Sequence, residues 1–133
     1  MFRRTRTEAA SSTKRLLNDA AKASFPGLRI GVSTHSLAQV QQALTEGADY
    51  LGFGPVFTTS TKQNPDPEVG VAQLSQAVLL AQQTPVVAIG GIKRTHITQL
   101  QEAGVKVATS ISEVLQSDSI ADAAALFQRA FSA

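Results

Sequence analysis

Short apolar runs alternate with segments of helical periodicity along most of this sequence. There are four such runs, each followed by a helical segment, at residues 28–32, 50–54, 86–89 and 105–111. They are mostly apolar at successive positions, which is typical of strands covered on both faces. Four strand–helix units in succession predict a parallel sheet with right-handed crossovers. Residues 14–25 predict a further helix before the first strand, so the chain is of the α/β class.

Cap signals indicate where the helices begin and end. Ser36 and Gln39 form a capping box in which each side chain is expected to bind a backbone N–H. Gly47 and Gly104 are predicted to follow the last turns of two helices. The segment from Thr58 to Val69 contains two prolines and predicts a long polar loop.

The length limits how the sheet can close. A chain of 133 residues suits one domain, whereas a complete (β/α)8 barrel needs roughly 200 to 250 residues. An open sheet of four strands leaves two free edges and one apolar face in water. We therefore expect a homodimer, or a second chain that completes the barrel.

Charge and composition divide the chain into two parts. Residues 1–15 carry five basic groups and one acidic group, a balance of +4, and the remaining residues carry a balance of −2. We interpret 1–13 as a flexible basic tail and 14–133 as the folded domain. The tail lacks interleaved aromatics, so nucleic-acid binding is not indicated, although its Arg, Ser and Thr content also resembles an organelle-targeting segment.

The same composition excludes several classes of protein. No run approaches the roughly 20 apolar residues of a membrane span, and there is no signal peptide, so a cytoplasmic protein is expected. The absence of cysteine excludes disulfides, thiolate zinc sites and a cysteine nucleophile. His35 and His96 are too few and too far apart to indicate a metal cluster.

Polar residues and glycines follow every predicted strand. Parallel strands end at one edge of a sheet, where the functional residues of such folds gather. Hydroxyls, a lysine and glycine N–H groups suit an oxyanion, since glycine allows the backbone to approach its oxygens. We therefore predict a phosphorylated small-molecule ligand. The candidate residues are Ser33, Thr34 and His35; Thr58, Thr59, Ser60, Thr61 and Lys62; Gly90 and Gly91; and Ser110 and Ser112.

Each of these features also has a purely structural interpretation. A Gly-Gly pair after a strand is often only a tight turn, and His35 beside a helix start can cap or pack. Lys93, Arg94 and His96 lie beyond the turn and are expected to face water. No acidic pair ends the strands, so acid–base catalysis by two carboxylates has no support. It is the agreement of four loops that favours phosphate.

Two segments resemble the second half of thiamine-phosphate synthase. They are GVSTHSLAQVQQALTEGADYLGFGPVFTTSTK, residues 31–62, and PVVAIGGI, residues 85–92. The resemblance runs from about Pro26 to the C-terminus. It implies a partial (β/α)8, TIM-type barrel of about four βα units with a leading helix. It also implies coupling of hydroxymethylpyrimidine diphosphate to thiazole phosphate, with release of pyrophosphate and use of Mg2+.

The resemblance also implies roles for single residues. Lys62 matches the lysine that holds the departing pyrophosphate, and Ser33 matches the serine that contacts the pyrimidine diphosphate; these two are the candidate catalytic residues. Thr59 and Thr61 match the pair that binds the thiazole phosphate. The other implied phosphate-binding positions are Gly90, Gly91, Ile111 and Ser112.

The matching region leaves the activity open. The first half of the family supplies the aspartates that hold Mg2+, so no metal ligand is assigned in this chain. Three interpretations follow: a truncated synthase homologue that is inactive as an isolated half barrel, a non-catalytic remnant that binds a phosphate ligand, and a thiazole tautomerase. In that sister branch a histidine at the position of His35 acts as acid or base, whereas Thr59, Thr61 and Lys62 favour the synthase.

Overall fold

The computed structural model describes residues 6–59, 63–64 and 66–132, with the backbone alone for 6–13. Four strands alternate with helices in the predicted order. The strands are β1 (Gly31–Thr34), β2 (Tyr50–Phe53), β3 (Val86–Ala88) and β4 (Val107–Ala108). The helices are α1 (Arg6–Ser24), α2 (Leu37–Thr45), α3 (Gly70–Ala81), α4 (Ile97–Glu102), α5 (Ser112–Leu115) and α6 (Ile120–Phe131), with a 3-10 turn at Arg94–His96.

The four strands form one parallel sheet in the order β1-β2-β3-β4. Gly31 pairs with Tyr50, Leu51 with Val86, and Val87 with Val107. Strands that are neighbours in sequence are thus neighbours in space, which is the arrangement of successive βα units in a barrel wall. The predicted parallel sheet is confirmed.

One face of the sheet packs against the helices and forms the core. Leu51 and Phe53 of β2 are fully buried there, beside Val40 of α2, Leu74 of α3 and Leu100 of α4. Burying a side chain of this size contributes roughly 1.5–3 kcal/mol, so this layer supplies most of the hydrophobic stabilisation.

The opposite face of the sheet is apolar but solvent-exposed. Alternate positions along the strands place Tyr50, Ile89 and Val107 on it, with exposed fractions of 42%, 36% and 45%. The ring of Tyr50 lies across Gly31, and the side chain of Ile89 lies over Gly52 of the neighbouring strand. This is the face that would line the interior of a closed barrel; below it is called the inner face.

Helix α1 packs at the amino end of the sheet, where it binds the carbonyl groups that directly follow α2. Asn18 Nδ2 donates to the Glu46 carbonyl at 2.9 Å, and Lys22 Nζ donates to the Gly47 carbonyl at 3.1 Å. Lys22 Nζ also lies 2.9 Å from both carboxylate oxygens of Asp49. Asp49 Oδ2 accepts from the N–H of Ile30 at 2.7 Å, and these two donors hold the pKa of Asp49 below its ordinary value.

Several element boundaries differ from the prediction. Helix α1 begins at Arg6, so residues 6–13 of the predicted tail are helical, because 6–24 contain neither Gly nor Pro. The first strand begins at Gly31 rather than residue 28, because the Ile30 N–H is bound by the Asp49 side chain instead of a strand. The last strand is two residues long, not seven, and α5 and the 3-10 turn were not predicted.

The start of α2 shows a modified capping box. Ser36 is the N-cap, and its Oγ accepts from the Gln39 N–H at 3.3 Å as predicted. The Gln39 side chain, however, accepts from the N–H of His35, at 2.7 Å, one residue before the expected partner. Within the described residues no helix has the length and hydropathy of a membrane span.

Candidate functional site

A cavity of about 260 Å³ opens at the carboxyl end of the sheet. All four strand-following loops reach it, because parallel strands end at the same edge. Nine of the predicted site residues line it, whereas Thr58 does not; the nine are Ser33, Thr34, His35, Thr59, Gly90, Gly91, Ser110, Ile111 and Ser112. Ser60, Thr61 and Lys62 lie outside the described residues.

His35 is held at the cavity by the backbone of the next strand–loop junction. Its Nδ1 lies 2.6 Å from the Gly54 carbonyl oxygen. A carbonyl can only accept, so Nδ1 carries the hydrogen and donates it. The other ring nitrogen, Nε2, then points to Asp66 Oδ2 at 3.6 Å. Nε2 is therefore the ring nitrogen left available at the cavity, beside the Asp66 carboxylate.

The Gly90–Gly91 turn is packed tightly against the loop after β2. Both glycines have positive φ, +96° and +62°. A Cβ on Gly90 would lie 2.6 Å from Pro55 Cα, and one on Gly91 would lie 2.3 Å from the Thr58 carbonyl oxygen. The N–H of Phe57 donates to the Gly90 carbonyl at 3.1 Å. Only glycine fits this turn, which confirms that it is a tight turn and also brings bare backbone to the cavity.

Two side chains connect the loop after β4 to the segment beyond the glycine turn. Ser110 Oγ donates to the Ile92 carbonyl at 3.0 Å. Glu113 Oε1 accepts from Arg94 Nε at 2.9 Å and from the Arg94 N–H at 3.3 Å. These hydrogen bonds from Arg94 hold the pKa of Glu113 below its ordinary value.

The expectation of three water-facing residues after the glycine turn is only partly met. Lys93 is exposed, and the Arg94 side chain is 58% exposed despite its contact with Glu113. His96 is half-buried instead: its ring stacks on Phe57 with centroids 3.6 Å apart, and its Nδ1 accepts from the Lys93 N–H at 3.2 Å. The stack fixes the far end of the turn to the loop after β2.

Two comparisons with known proteins identify the family. The sequence profile described as thiamine monophosphate synthase matches residues 13–114. The chain belongs to this family. A solved structure, thiamine phosphate pyrophosphorylase from Pyrococcus furiosus, superposes with a TM-score of 0.71 at 32% identity, over 86% of this chain and 54% of that one. The predicted partial (β/α)8 barrel is thereby confirmed.

Curated relatives match at higher identity but over part of their length. Thiamine-phosphate synthase from Dictyoglomus turgidum is 42% identical over 91 residues, which are 68% of this chain and 40% of the relative. The enzyme from Anaeromyxobacter dehalogenans is 41% identical over 108 residues, 81% of this chain and 48% of the relative. The chain thus spans less than half the length of these thiamine-phosphate synthases.

The described residues do not form a set of Mg2+ ligands. Nowhere in 6–59, 63–64 and 66–132 do three His, Cys, Asp or Glu side chains come close enough to hold a metal ion. The carboxylate at the cavity, Asp66, faces His35. A hard divalent cation needs several oxygen ligands, so these residues do not fit the Mg2+ that the family resemblance implies, and no catalytic step is derived through it.

Sequence reasoning missed two polar residues of the cavity. Asp66 lies in the long loop after β2, and no sequence signal pairs it with His35, 31 positions earlier. Thr109 was placed inside the last strand, whereas it directly follows the two-residue β4 and lines the cavity. A shorter estimate for that strand would have brought Thr109 into the loop.

Proposed function

We propose that this cavity binds a phosphate ester, and that the chain supplies the phosphate-binding half of a thiamine-phosphate synthase site. The observation that carries this proposal is the convergence of four loops, rich in hydroxyl groups and backbone, on one cavity of about 260 Å³. The family membership supports the substrates that the sequence resemblance implies, which are hydroxymethylpyrimidine diphosphate and thiazole phosphate.

The reaction needs charge neutralisation and positioning rather than a strong base. The carbon–oxygen bond to pyrophosphate breaks, and its electron pair leaves on the oxygen. The thiazole nitrogen then donates its lone pair to the pyrimidinylmethyl carbon and forms the new carbon–nitrogen bond. In the proposed assignment Lys62 and Ser33 bind the leaving pyrophosphate, and Thr59 and Thr61 hold the thiazole phosphate. Fixed donors of this kind stabilise developing negative charge without reorganisation.

The direct test is formation of thiamine phosphate from the two substrates by the purified chain. Because the isolated half barrel is expected to be inactive, we expect the chain to bind inorganic pyrophosphate without forming product, and Lys62→Ala to weaken that binding. Lys106→Ala is the matched control, because Lys106 is an exposed lysine that precedes β4 at the other end of the sheet. Thiamine phosphate formed by the chain alone would contradict the expected inactivity of the half barrel, and a wild-type chain that neither binds nor turns over would refute the proposal.

We propose a second copy of this chain as the partner that covers the inner face. β1 and β4 are the two edges of the sheet, and both run in the same direction. A two-fold axis along the strands would set β4 of one copy beside β1 of the other in parallel. It would bury both inner faces and place both cavities at one end.

Light scattering tests this assembly. We expect a species of about 28 kDa, twice the 14.0 kDa of the chain. Val107→Lys on the inner face should give monomer, since it would bury a charge in the interface. Leu79→Lys is the control, because Leu79 is 75% exposed on the helical side. A wild-type monomer, or a stable complex only with a different chain, would refute the homodimer.

A thiazole tautomerase is the second candidate function, favoured by the geometry of His35. Its Nδ1 is bound to the Gly54 carbonyl, so Nε2 is the nitrogen available for proton transfer at the cavity. Tautomerisation of thiazole phosphate that is lost in His35→Gln, while Lys62→Ala remains active, would establish this function. Synthase activity that survives His35→Gln would exclude it as the main role.

A further inference from the structure

Backbone pairing alone holds the loop after β4 weakly. β4 has two residues, and its ladder to β3 consists of the pairs Val87–Val107 and Ala88–Ala108. One more bond follows, from the Thr109 N–H to the Ala88 carbonyl at 2.9 Å. The β1–β2 ladder has four pairs by comparison. Residues 109–112, which line the cavity, therefore need other contacts to keep a fixed position.

Side chains provide those contacts. Ser110 reaches the Ile92 carbonyl, and Glu113 accepts two hydrogen bonds from Arg94. We call these four residues the loop brace. The Glu113 side chain is only 21% exposed, so its carboxylate is largely shielded by the protein. The Ser110 hydroxyl has one hydrogen, which is committed to Ile92, so it cannot be donated to a ligand at the same time.

The other end of the brace is attached to a rigid segment. The Gly90 carbonyl is bound by the loop after β2, and the space beside Gly91 is closed by the backbone of Phe57 and Thr58. His96 is stacked on Phe57. The glycine turn cannot shift to follow the β4 loop, so the brace determines how far apart the two loops lie.

We propose that the loop brace sets the spacing between the Gly90–Gly91 turn and the Ile111–Ser112 loop, and thereby the affinity of the cavity for a phosphate group. The inference rests on the proposed function, because it presumes that both loops contact the phosphate. Glu113 and Arg94 are positioning residues in this account, since they act on the ligand through the loops they join.

The substitution Glu113→Gln distinguishes the loop brace from two direct effects of charge on anion binding. Removing a carboxylate near an anion site should tighten anion binding if charge alone mattered. It should also tighten binding if Arg94 contacted the phosphate directly, because the substitution releases its guanidinium. The brace makes the opposite prediction, since a weaker contact with Arg94 lets the loops separate.

The experiment is calorimetric titration of the full chain with inorganic phosphate and, separately, with thiazole phosphate. We expect the dissociation constant to rise about two- to five-fold in Glu113→Gln, as for the loss of an ion pair whose arginine is largely exposed. Ser110→Ala should raise it about two- to ten-fold, as for the loss of one hydrogen bond. Lys22→Gln is the matched control, because it removes an ion pair at the amino end of the sheet and should leave the constant unchanged.

Thermal unfolding of each variant separates an effect on the position of the loops from a general loss of stability of the fold. If Glu113→Gln does not fold, Glu113→Asp serves instead, since it keeps the charge but shortens the reach to Arg94. If the brace variants bind phosphate as tightly as the wild-type chain, or more tightly, this inference is overturned and the proposed function remains intact. A loss of affinity that follows the unfolding temperature, in Lys22→Gln as well, also overturns it. A wild-type chain that binds neither probe overturns both proposals.

Discussion

Replacing Gly91 by alanine tests a tightly confined position at the cavity. The added Cβ would lie 2.3 Å from the Thr58 carbonyl oxygen and 2.7 Å from the Phe57 carbonyl oxygen, at a φ of +62°. Cβ atoms essentially never come within 3.0 Å of such neighbours, and both are backbone atoms that no side-chain rotation can remove. The turn or the loop after β2 must therefore move.

The loss of unfolding free energy in Gly91→Ala has two parts, which a control substitution can separate. A non-glycine residue at positive φ costs roughly 1–2 kcal/mol, and overpacking a filled site costs roughly 1–3 kcal/mol more. Gly47→Ala incurs only the cost of a non-glycine residue at positive φ, because Gly47 has a φ of +82° and nothing lies within 4 Å of an added Cβ. We expect Gly91→Ala to lower the free energy of unfolding by about 1–3 kcal/mol more than Gly47→Ala.

Urea unfolding measures both losses, and titration with inorganic phosphate measures the site. Gly91→Ala should weaken phosphate binding as well, whereas Gly47→Ala should not, because Gly47 lies at the amino end of the sheet. Equal destabilisation by the two substitutions, or normal phosphate binding by Gly91→Ala, would refute the argument that the close backbone approach shapes the cavity.

Three further changes test the core and the amino end of the sheet. Phe53→Ala should lower the free energy of unfolding by about 3–5 kcal/mol in urea titration, since Phe53 is fully buried. Thr34→Val should cost about 1 kcal/mol by the same assay, because its buried hydroxyl donates to a β2 carbonyl at 2.7 Å. The pKa of Asp49 is lowered by the Ile30 N–H and Lys22, so its stabilisation is complete above its ordinary value of 3.8 and is lost as pH falls through the folded-state pKa. Asp49→Asn should therefore flatten the acid side of a stability–pH profile; an unchanged profile would contradict this.

The order and type of the elements could be predicted because apolar periodicity directly reflects burial. The runs at 50–54 and 86–89 became β2 and β3, the two central strands, almost unchanged. Strand ends were less predictable where a side chain replaces a strand as the hydrogen-bond partner, as Asp49 does for Ile30. β4 covers two of the seven residues of its run, and in the described sheet only β3 pairs with it.

The location of the site was predictable from topology, but its internal contacts were not. Parallel strands end together, so residues such as Ser33 and Gly90 had to lie at one edge. The pairs His35–Asp66 and Arg94–Glu113 depend on loop conformations that no periodicity encodes. Each pair also looks like ordinary surface charge in the sequence.

The three strand pairings close chain segments of different length, so they differ in the chain entropy lost when the sheet forms. Paired residues are 19 positions apart for β1 and β2, 20 for β3 and β4, but 35 for β2 and β3. Because closure entropy grows with the logarithm of length, joining the two central strands costs about 0.5 kcal/mol more than either outer pairing. The extra length is largely the loop that brings Thr59 and Asp66 to the cavity. The connection with the longest loop at the proposed ligand site is thus the one that constrains the chain most when the sheet forms.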